Sequence, residues 1–471
     1  MRKTKIICTI GPSSESETVL EKLAVSGMSV ARLNFSHGTH EEHQIKIDTI
    51  KKVRDKLDLP IAIMLDTKGP EYRIKTFKNH SIVLKDGDEF TFTTDDIVGD
   101  EHIVSVNYEH LIEELKVGDI VMVNNGLVIF KVKQINGTKA LCDVIAGGEV
   151  SDRKSMNFPN KVMDHPFLSE ADKSDLLFGI KNDVDFVAAS FVSKKSDIVA
   201  LRQFLDDNGG KNIDIIAKIE NRSGVNNIDE ICEVADGIMV ARGDLGVEIP
   251  FVEVPSIQKF LIKKCRLLGK RVITATEMLE SMIRNPRPTR AEISDVANAV
   301  YDGSSAIMLS GETAAGKYPV ETVQIMAKIA EYTERSIDYS HWFNTTEFRI
   351  KNVTDALSHA TCAMANDVKA KCIVVSTLSG MTARMVSRFR CPIDIVGITT
   401  DKKVYRKLSL SWGVTPLLSI QYSSTDQMYY ESLRKATSLL LLQKGDNVVL
   451  TGGEVDGLAG KTNTIKVLAV D

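Results

Sequence analysis

The sequence predicts a (β/α)8 TIM barrel with an inserted all-β lid domain and a C-terminal open α/β domain, on three observations. Eight short apolar runs alternate with segments of helical periodicity, and eight parallel strands are the number that closes such a barrel. The stretch between the third and fourth runs instead contains short strand-like runs broken by turns. After the eighth run, a second alternation of strand-like and helix-like segments begins.

The predicted barrel strands fall into two blocks, which lie at 5–10, 29–33 and 61–65, and then at 185–191, 214–219, 237–241, 271–275 and 305–309. The helical segments between them imply right-handed crossovers and a parallel sheet. Because barrels of this kind carry their chemistry at the carboxyl ends of the strands, the residues that follow each run are the candidates for a functional site.

The inserted stretch and the second alternation divide the chain into four predicted segments. These are the first part of the barrel (1–69), an inserted β-barrel lid domain (70–162), the second part of the barrel (163–340) and a C-terminal α/β effector domain (341–471). A module inserted into a loop on the catalytic face can close over a substrate, so we predict that it is a lid. The polar segment 340–351 is predicted to be a linker. The last two strands of the C-terminal sheet are predicted to be antiparallel.

Composition excludes several classes of protein. The chain has 471 residues, more than one core usually serves, and 59 basic against 63 acidic residues, which indicates neither nucleic-acid nor membrane-surface binding. Its seven cysteines form no Cys-x-x-Cys pair, so we expect reduced thiols rather than disulfides or zinc. The start of the chain does not resemble a signal peptide, and no apolar stretch is long enough to span a bilayer, which predicts a cytoplasmic protein.

A ring of polar side chains follows the predicted barrel strands. In chain order its members are Thr9; Arg32, Asn34, Ser36 and His37; Asp66, Thr67 and Lys68; Ser190; Lys218 and Glu220; Gly243 and Asp244; Thr276; and Ser310, Glu312 and Thr313. Salt-bridged loop ends explain any single cluster equally well. A purely structural role hardly explains polar groups at every strand end.

Glu220 and Asp244 follow adjacent strands. Two carboxylates suit Mg²⁺ or Mn²⁺, because they leave coordination positions of the metal open for substrate oxygens. Lys218 lies two residues before Glu220, so both side chains point the same way from one strand. Arg32 adds a second positive charge. Together these groups can neutralise the oxygens of a transferring phosphoryl group, although a barrel-end salt bridge remains an alternative for Arg32.

Asn34, Ser36, Asp66 and the Thr67 carbonyl form an oxygen-only set beside that point. Such a set can hold a monovalent cation, and a hydrogen-bonded polar loop explains it equally well.

Two backbone segments predict anion sites. Around Gly243 and Asp244, glycines and the start of a helix let N–H groups approach a substrate carboxylate, to which Thr276 can add a hydroxyl. Segment 376–382 also follows a strand and opens a helix. A helix N-cap explains one hydroxyl in this segment but not four, so the segment predicts a site for a phosphorylated effector. The predicted site residues are Ser376, Thr377, Ser379, Gly380 and Thr382.

Seven segments, read in order, resemble the signature segments of the pyruvate kinase family along nearly the whole chain. They are TKIICTIGP (4–12), ARLNFSHG (31–38), LDTKGPE (65–71), IAKIE (216–220), VARGDLGVEIP (240–250), TATEMLESM (274–282) and MLSGET (308–313). The resemblance implies transfer of the phosphoryl group of phosphoenolpyruvate to ADP, giving ATP and pyruvate, the last step of glycolysis. It also implies Mg²⁺ (or Mn²⁺) and K⁺ as cofactors and a cytoplasmic homotetramer.

The resemblance also implies a role for each matching residue. Lys218 would stabilise the phosphoryl group, Arg32 would bind phosphate, and Gly243, Asp244 and Thr276 would seat the substrate carboxylate. Glu220 and Asp244 would hold the divalent metal; Asn34, Ser36, Asp66 and Thr67 would hold K⁺; Asn34, His37, Arg73 and Lys154 would contact the nucleotide; and Thr276, Ser310 and Glu312 would serve a water-mediated relay that protonates the enolate.

Two residues and one loop add detail to these expectations. Glu71 is the residue type that accompanies K⁺ dependence in the family, so we expect K⁺ activation. Glu277 stands where glutamine is expected, next to Thr276. The loop 452–460 lacks the Trp and Arg that bind a second effector phosphate in fructose 1,6-bisphosphate-activated relatives, so we expect an effector with one phosphate.

Two other functions stay open from the residues alone. A metal-dependent barrel lyase acting on a pyruvate enolate also needs a divalent metal, an arginine and a carboxylate pocket, but needs neither a K⁺ site nor nucleotide groups in the lid. The other is a metabolite sensor that kept the effector domain and lost catalysis, and the intact Lys218, Glu220, Asp244 and Thr276 argue against it.

Overall fold

A closed eight-stranded parallel barrel forms the centre of the computed structural model, which describes residues 1–70, 72–124, 126–159, 161, 167–455 and 462–471. Each strand pairs with its neighbours in chain order, and the eighth pairs with the first. From first to eighth the strands are Lys5–Thr9, Val30–Asn34, Ala62–Asp66, Phe186–Ala189, Asp214–Ile219, Gly237–Ala241, Arg271–Ala275 and Ala306–Leu309. The predicted barrel is confirmed.

Two apolar layers hold the barrel together. The outer layer packs the strands against the surrounding helices, and the inner one fills the barrel with side chains such as Met64, Phe186 and Met239. Leu410 of the C-terminal domain belongs to the inner cluster. The barrel is therefore a packed core, and its chemistry must lie at its rim.

The helices around the barrel begin with local signals that the sequence carries. Thr39 caps helix His40–Leu57 in a capping box with Glu42, and Thr289 with Glu292 does the same for Arg290–Asp302. The other helices are Glu17–Ser26, Glu170–Lys181, Lys195–Asp207, Arg222–Asn226, Ile228–Val234, Arg242–Glu248, Val254–Leu268, Gly311–Ala314 and Pro319–Arg335, with 3-10 turns at Phe251–Glu253 and Glu280–Ile283.

The inserted segment between the third and fourth barrel strands is mostly sheet. In spatial order its seven-stranded sheet contains Tyr72–Arg73, Ser155–Asn157, Ile120–Val123, Val128–Asn136, Lys139–Ala146, Glu89–Thr93 and Ile103–Ser105; Ser81–Leu84 pairs with Gly148–Ser151, and Leu111–Glu114 is a short helix. A bridge from Ile74 to Val106 joins the two edge strands, and the Lys75 N–H donates to the Ser105 carbonyl over 2.7 Å. The sheet thus curls until its edges meet.

The C-terminal domain is an open five-stranded sheet in the order Val414–Leu418, Asp394–Thr399, Cys372–Ser376, Asn447–Gly452 and Thr464–Ala469. Its last two strands are antiparallel, as predicted. Its helices are Val353–Asp367, Met381–Arg388, Lys402–Leu408 and Thr425–Leu440. The linker prediction for 340–351 is partly wrong, because Tyr339–Thr345 is a helix that buries Tyr339 and Phe343.

Ion pairs attach this domain to the amino ends of the barrel strands. Arg406 contacts Asp183 and Asp185, each at 2.7 Å, and Lys407 contacts Asp214 at the start of the fifth strand, also at 2.7 Å. The carboxyl ends, where the candidate site lies, therefore face away from the C-terminal domain. Among the described residues, no helix combines the length and apolar character that crossing a membrane requires.

Candidate active site

A cleft of about 360 Å³ lies at the carboxyl ends of the barrel strands, between the barrel and the inserted domain. The predicted site residues that line it are Arg32, Asn34, Ser36, His37, Arg73, Lys218, Glu220 and Asp244. The inserted domain contributes other walls, including Met156 and Asn157. Residues that are far apart in the chain thus meet at one point.

Lys218 is at the base of this cleft and is surrounded by oxygen atoms. Its Nζ donates to Asp66 Oδ1 over 3.0 Å and to Ser190 Oγ over 2.6 Å, and it lies 2.9 Å from Glu220 Oε1. Burial alone would lower the pKa of Lys218, but the carboxylates of Asp66, Glu220 and Asp244 outweigh burial and raise it. The side chain is therefore a fixed positive charge.

Asp66 joins the two cations of the site. Arg32 Nε donates to its Oδ2 over 2.6 Å, while Arg32 Nη1 donates to Thr9 Oγ1 over 2.9 Å. Burial opposes ionisation of Asp66, but Arg32 and Lys218 prevail and lower its pKa. One ionised, buried carboxylate thus positions both positive groups at the cleft floor.

Glu220 is fully buried, and its two oxygens differ. Oε2 accepts from the Phe191 N–H over 2.6 Å, whereas Oε1 has no aligned hydrogen bond despite its closeness to Lys218. Burial raises the pKa of Glu220 to about 7, with Lys218 opposing and Asp244 adding to the rise. Apart from Lys218, Oε1 has no hydrogen-bonding partner among the described residues, so it can accept a further cation.

Asp244 provides the second carboxylate at the cleft wall and is exposed. Among the described residues, no group of three or more His, Cys, Asp and Glu side chains is arranged to hold a metal ion. Two carboxylates with open positions match Mg²⁺, which keeps water or substrate oxygens among its ligands. The residues present therefore fit a divalent ion shared with substrate.

Thr276 has a strained backbone, with φ of 66°, and Glu277 follows it at 53°. A β-branched residue rarely adopts this conformation. Arg242 holds it there, since its Nε donates to the Thr276 carbonyl over 3.2 Å and its Nη1 contacts both oxygens of Asp295, at 2.9 and 2.7 Å. The Thr276 hydroxyl in turn accepts from the Gly243 N–H over 2.8 Å.

Sequence reasoning missed this clamp of Arg242 and Asp295. Arg242 is inside a recognised motif, but Asp295 is on a separate helix, 53 residues further along, and carries no local signal. Phe191 was missed for a similar reason, because its role lies in a backbone N–H and a φ of 56°.

Ser310 and Glu312 lie just beyond the eighth strand. Glu312 is fully buried, and it accepts from the backbone N–H groups of Ser310, over 2.7 Å, and Leu279, over 3.1 Å. The buried Ser310 hydroxyl has no hydrogen-bond partner among the described residues. Glu312 thus joins the loops after the seventh and eighth strands, and neither residue lines the cleft described above.

The predicted monovalent-cation residues meet at neighbouring strand ends. Asn34 and Asp66 are directly paired across the second and third strands. The Ser36 N–H donates to Asn34 Oδ1 over 3.2 Å, and the Thr67 carbonyl accepts from Ser190 Oγ over 2.7 Å. Glu71 lies outside the described residues.

Of the predicted nucleotide residues, His37 and Arg73 line the cleft with Asn34, whereas Lys154 is absent from its described lining. Arg73 Nη1 donates to the Arg153 carbonyl over 2.6 Å, a contact within the inserted domain.

The hydroxyls of the predicted effector segment have partners inside the protein. Thr382 Oγ1 lies 2.6 Å from Thr462 Oγ1, Thr377 Oγ1 accepts from the Gly380 N–H over 3.0 Å, and Ser376 Oγ lies 3.5 Å from Ser432 Oγ. Ser379 is exposed, and its hydroxyl accepts only a long contact of 3.4 Å from the Met381 N–H. Residues 456–461 lie outside the described residues, and they include most of segment 452–460, on which the prediction of an effector with one phosphate rests.

Comparison with known proteins agrees with this geometry. The pyruvate kinase barrel domain matches residues 1–323, and the pyruvate kinase alpha/beta domain matches residues 355–468. The chain is 48% identical to the pyruvate kinase of Clostridium acetobutylicum, with 100% of both chains covered, and 48% identical to that of Bacillus licheniformis, covering 100% of this chain and 81% of that one.

A solved structure agrees as well. The pyruvate kinase of Cryptosporidium parvum superimposes with a TM-score of 0.94 at 38% identity, over 99% of this chain and 96% of the other. The chain belongs to the pyruvate kinase family, the phosphotransferases that convert phosphoenolpyruvate and ADP into pyruvate and ATP.

Proposed function

We propose that the transfer takes place at the cleft floor, with Lys218 and Arg32 neutralising the phosphoryl group as it passes from phosphoenolpyruvate to ADP. The observation that carries this proposal is the position of Lys218 Nζ, within 3.0 Å of both Asp66 and Glu220. Because phosphoryl transfer depends mainly on positioning and electrostatics, preorganised cations at this point lower the activation barrier without moving during the reaction.

Glu220 and Asp244 would hold Mg²⁺ or Mn²⁺. When bound, the divalent ion supplies charge neutralisation to the oxygens of the substrate. Glu220 contributes a buried oxygen that lacks a hydrogen bond, and Asp244 contributes an exposed carboxylate across the cleft. The Phe191 N–H fixes the other Glu220 oxygen, so the ligand atom is already oriented.

Gly243, Asp244 and Thr276 would seat the substrate carboxylate. The clamp of Arg242 and Asp295 supports this role, because it holds the Thr276 hydroxyl against the Gly243 N–H. Ser310 and Glu312 would act with Thr276 in protonating the enolate. Glu312 would position the loop, and the unpartnered Ser310 hydroxyl would order water.

The monovalent site provides the experiment that tests this function. We expect ATP formation from phosphoenolpyruvate, ADP and Mg²⁺ to be at least about tenfold faster in K⁺ than in Na⁺ at equal ionic strength. Glu71→Lys should remove this dependence, because a lysine ammonium supplies the charge that K⁺ otherwise brings. A coupled ATP assay in the two salts compares the wild-type chain with the variant. Equal rates of the wild-type chain in the two salts would contradict the K⁺ site at Asn34, Ser36, Asp66 and Thr67.

An effector carrying one phosphate is proposed to bind at Ser376, Thr377, Ser379, Gly380 and Thr382. The exposed Ser379 hydroxyl, whose protein contact is long, supports this assignment. Ribose 5-phosphate, AMP and fructose 1,6-bisphosphate should be compared for their effect on phosphoenolpyruvate saturation. We expect one of the monophosphates to lower the half-saturating concentration, and Ser379→Ala to weaken that effect while Ser26→Ala does not. The absence of a response to all three compounds would contradict the proposed effector site.

Contacts between subunits and the location in the cell rest on the same family resemblance. We propose a cytoplasmic homotetramer. Light scattering on the purified chain measures the assembly, and a monomer at working concentration would refute it.

A further inference from the structure

A cluster of basic side chains lies between the barrel and the C-terminal domain, at the opposite end of the barrel from the active site. We call it the arginine pocket. It is lined by Arg266, Lys270, Arg271, Arg384, Arg388 and Arg390, with Ser411 and Trp412. The cavity at its base is about 10 Å³, room for one water-sized group, and it is open to solvent on one side.

The pocket has more cationic side chains than carboxylates in contact with them. Arg271 and Arg384 share Asp214, Arg384 also contacts Asp236 at 3.7 Å, and Arg388 pairs with Asp355. Among the described residues, no carboxylate oxygen lies within 4.0 Å of the side-chain nitrogens of Arg266, Lys270 or Arg390. Three of the six cations thus lack an ion-pair partner within the described parts of the chain.

Arg390 is the clearest example. It is 3% exposed, and its Nη atoms donate only to uncharged oxygens, among them the Gly303 and Ser387 carbonyls at 3.0 and 2.9 Å. Its guanidinium stacks on Trp412, 4.4 Å from the ring centroid. Burial lowers the pKa of Arg390 to about 9. A buried guanidinium without a counter-charge is costly, so a bound anion would be stabilised here.

Several residues of the same pocket carry hydrogen-bonding atoms that are not used within the protein. Among the described residues, the Nε atoms of Arg266, Arg271, Arg384, Arg388 and Arg390 are buried and have no hydrogen-bond partner, and neither has the hydroxyl of Ser411. Ser411 is 2% exposed. Buried polar atoms in native proteins are almost always satisfied, so a group of unpaired donors indicates a ligand that accepts hydrogen bonds.

We infer that the arginine pocket binds one phosphate group, either as inorganic phosphate or as a phosphomonoester whose organic portion stays in solvent. Guanidinium groups match phosphate oxygens in shape and charge. The small base of the pocket admits one oxygen of the anion, and its open side accommodates the rest. This site is separate from the proposed effector residues around Thr382 and from the cleft of Lys218.

Occupation of the pocket would join the two domains that supply its residues. Arg266 and Arg271 belong to the barrel, whereas Arg384 and Arg390 belong to the C-terminal domain. Arg271 and Arg384 both contact Asp214, the first residue of the strand whose other end carries Lys218. A bound phosphate should therefore also raise the melting temperature of the full chain.

Equilibrium dialysis with radiolabelled inorganic phosphate tests the inference, with chloride used to hold ionic strength constant. Arg266→Gln and, separately, Ser411→Ala should each lower the phosphate affinity of one class of binding site by at least about tenfold. Arg434→Gln makes the same change on an exposed C-terminal helix and should leave every class unchanged. Ser411→Ala removes only one hydroxyl, so it decides the question if Arg266→Gln does not fold.

Unchanged stoichiometry and affinity in both pocket variants would overturn the inference and leave an adventitious ion only. Competition with ribose 5-phosphate then identifies the source of the group. Displacement of the pocket-dependent phosphate indicates a phosphomonoester ligand, and its retention indicates inorganic phosphate.

Discussion

Replacing Lys218 by methionine should reduce phosphoryl transfer by at least about 10³-fold, the scale on which cationic groups act on this reaction. Methionine keeps an unbranched side chain of nearly the same length but removes the charge that lies 2.9 Å from Glu220 and 3.0 Å from Asp66. Steady-state ATP formation at saturating substrates measures the effect. Lys22→Met, on an exposed surface of helix Glu17–Ser26, is the matched control and should retain wild-type turnover.

The variant must also be shown to be folded, since Lys218 balances two buried carboxylates and its loss leaves them without that charge. Circular dichroism and retained Mn²⁺ binding provide this check. Near-normal turnover in a folded Lys218→Met protein would remove Lys218 from its proposed role.

The second large effect is expected from Glu220→Gln. The amide has nearly the same shape as the carboxylate but carries no charge. Mn²⁺ should therefore bind at least about tenfold more weakly, a loss of about 1.4 kcal/mol in binding free energy, and turnover should fall as well. Glu248→Gln is the matched control, because Glu248 is a buried glutamate that lines the same cleft and accepts from Asn157 Nδ2 over 2.9 Å. Titration of Mn²⁺ by electron paramagnetic resonance compares the two. Equal affinities in Glu220→Gln and the wild-type chain would exclude Glu220 as a ligand.

The barrel could be predicted from the sequence because its signals are local. Each strand is an apolar run of a few residues that is buried along its length, as Asp214–Ile219 shows, and each run ends at polar residues that a buried strand does not otherwise need. Lys218 is in this strand and Glu220 directly follows its last residue, so the two-residue period alone places them on the same side. The convergence of Arg32 and Asp66 with them follows from closure of the barrel.

Features that depend on long-range contacts could not be predicted in this way. The conformation of Thr276 is held by Arg242 and Asp295, which meet only after a helix packs against the barrel. The internal bond from Thr382 to Thr462 likewise joins residues from distant segments, whereas the local sequence pattern predicts that the Thr382 hydroxyl is available. Helix Tyr339–Thr345 was missed because only Tyr339 and Phe343 mark its buried side within a polar segment.

The arginine pocket illustrates the same limit. Arg266 and Arg390 are far apart in the chain, and each one alone resembles an ordinary surface arginine. The docking of the two domains brings both to the lining of one cavity. Their lack of a carboxylate partner among the described residues is a property of the folded chain.

Glu220 and Asp244 are proposed to hold the divalent ion beside Lys218. Anomalous diffraction from crystals of the protein grown with Mn²⁺ would locate this ion. We expect a manganese peak in contact with both carboxylates, which is lost or weakened in Glu220→Gln crystals. A manganese peak that contacts neither carboxylate, or one that is unchanged in Glu220→Gln, would contradict this proposal.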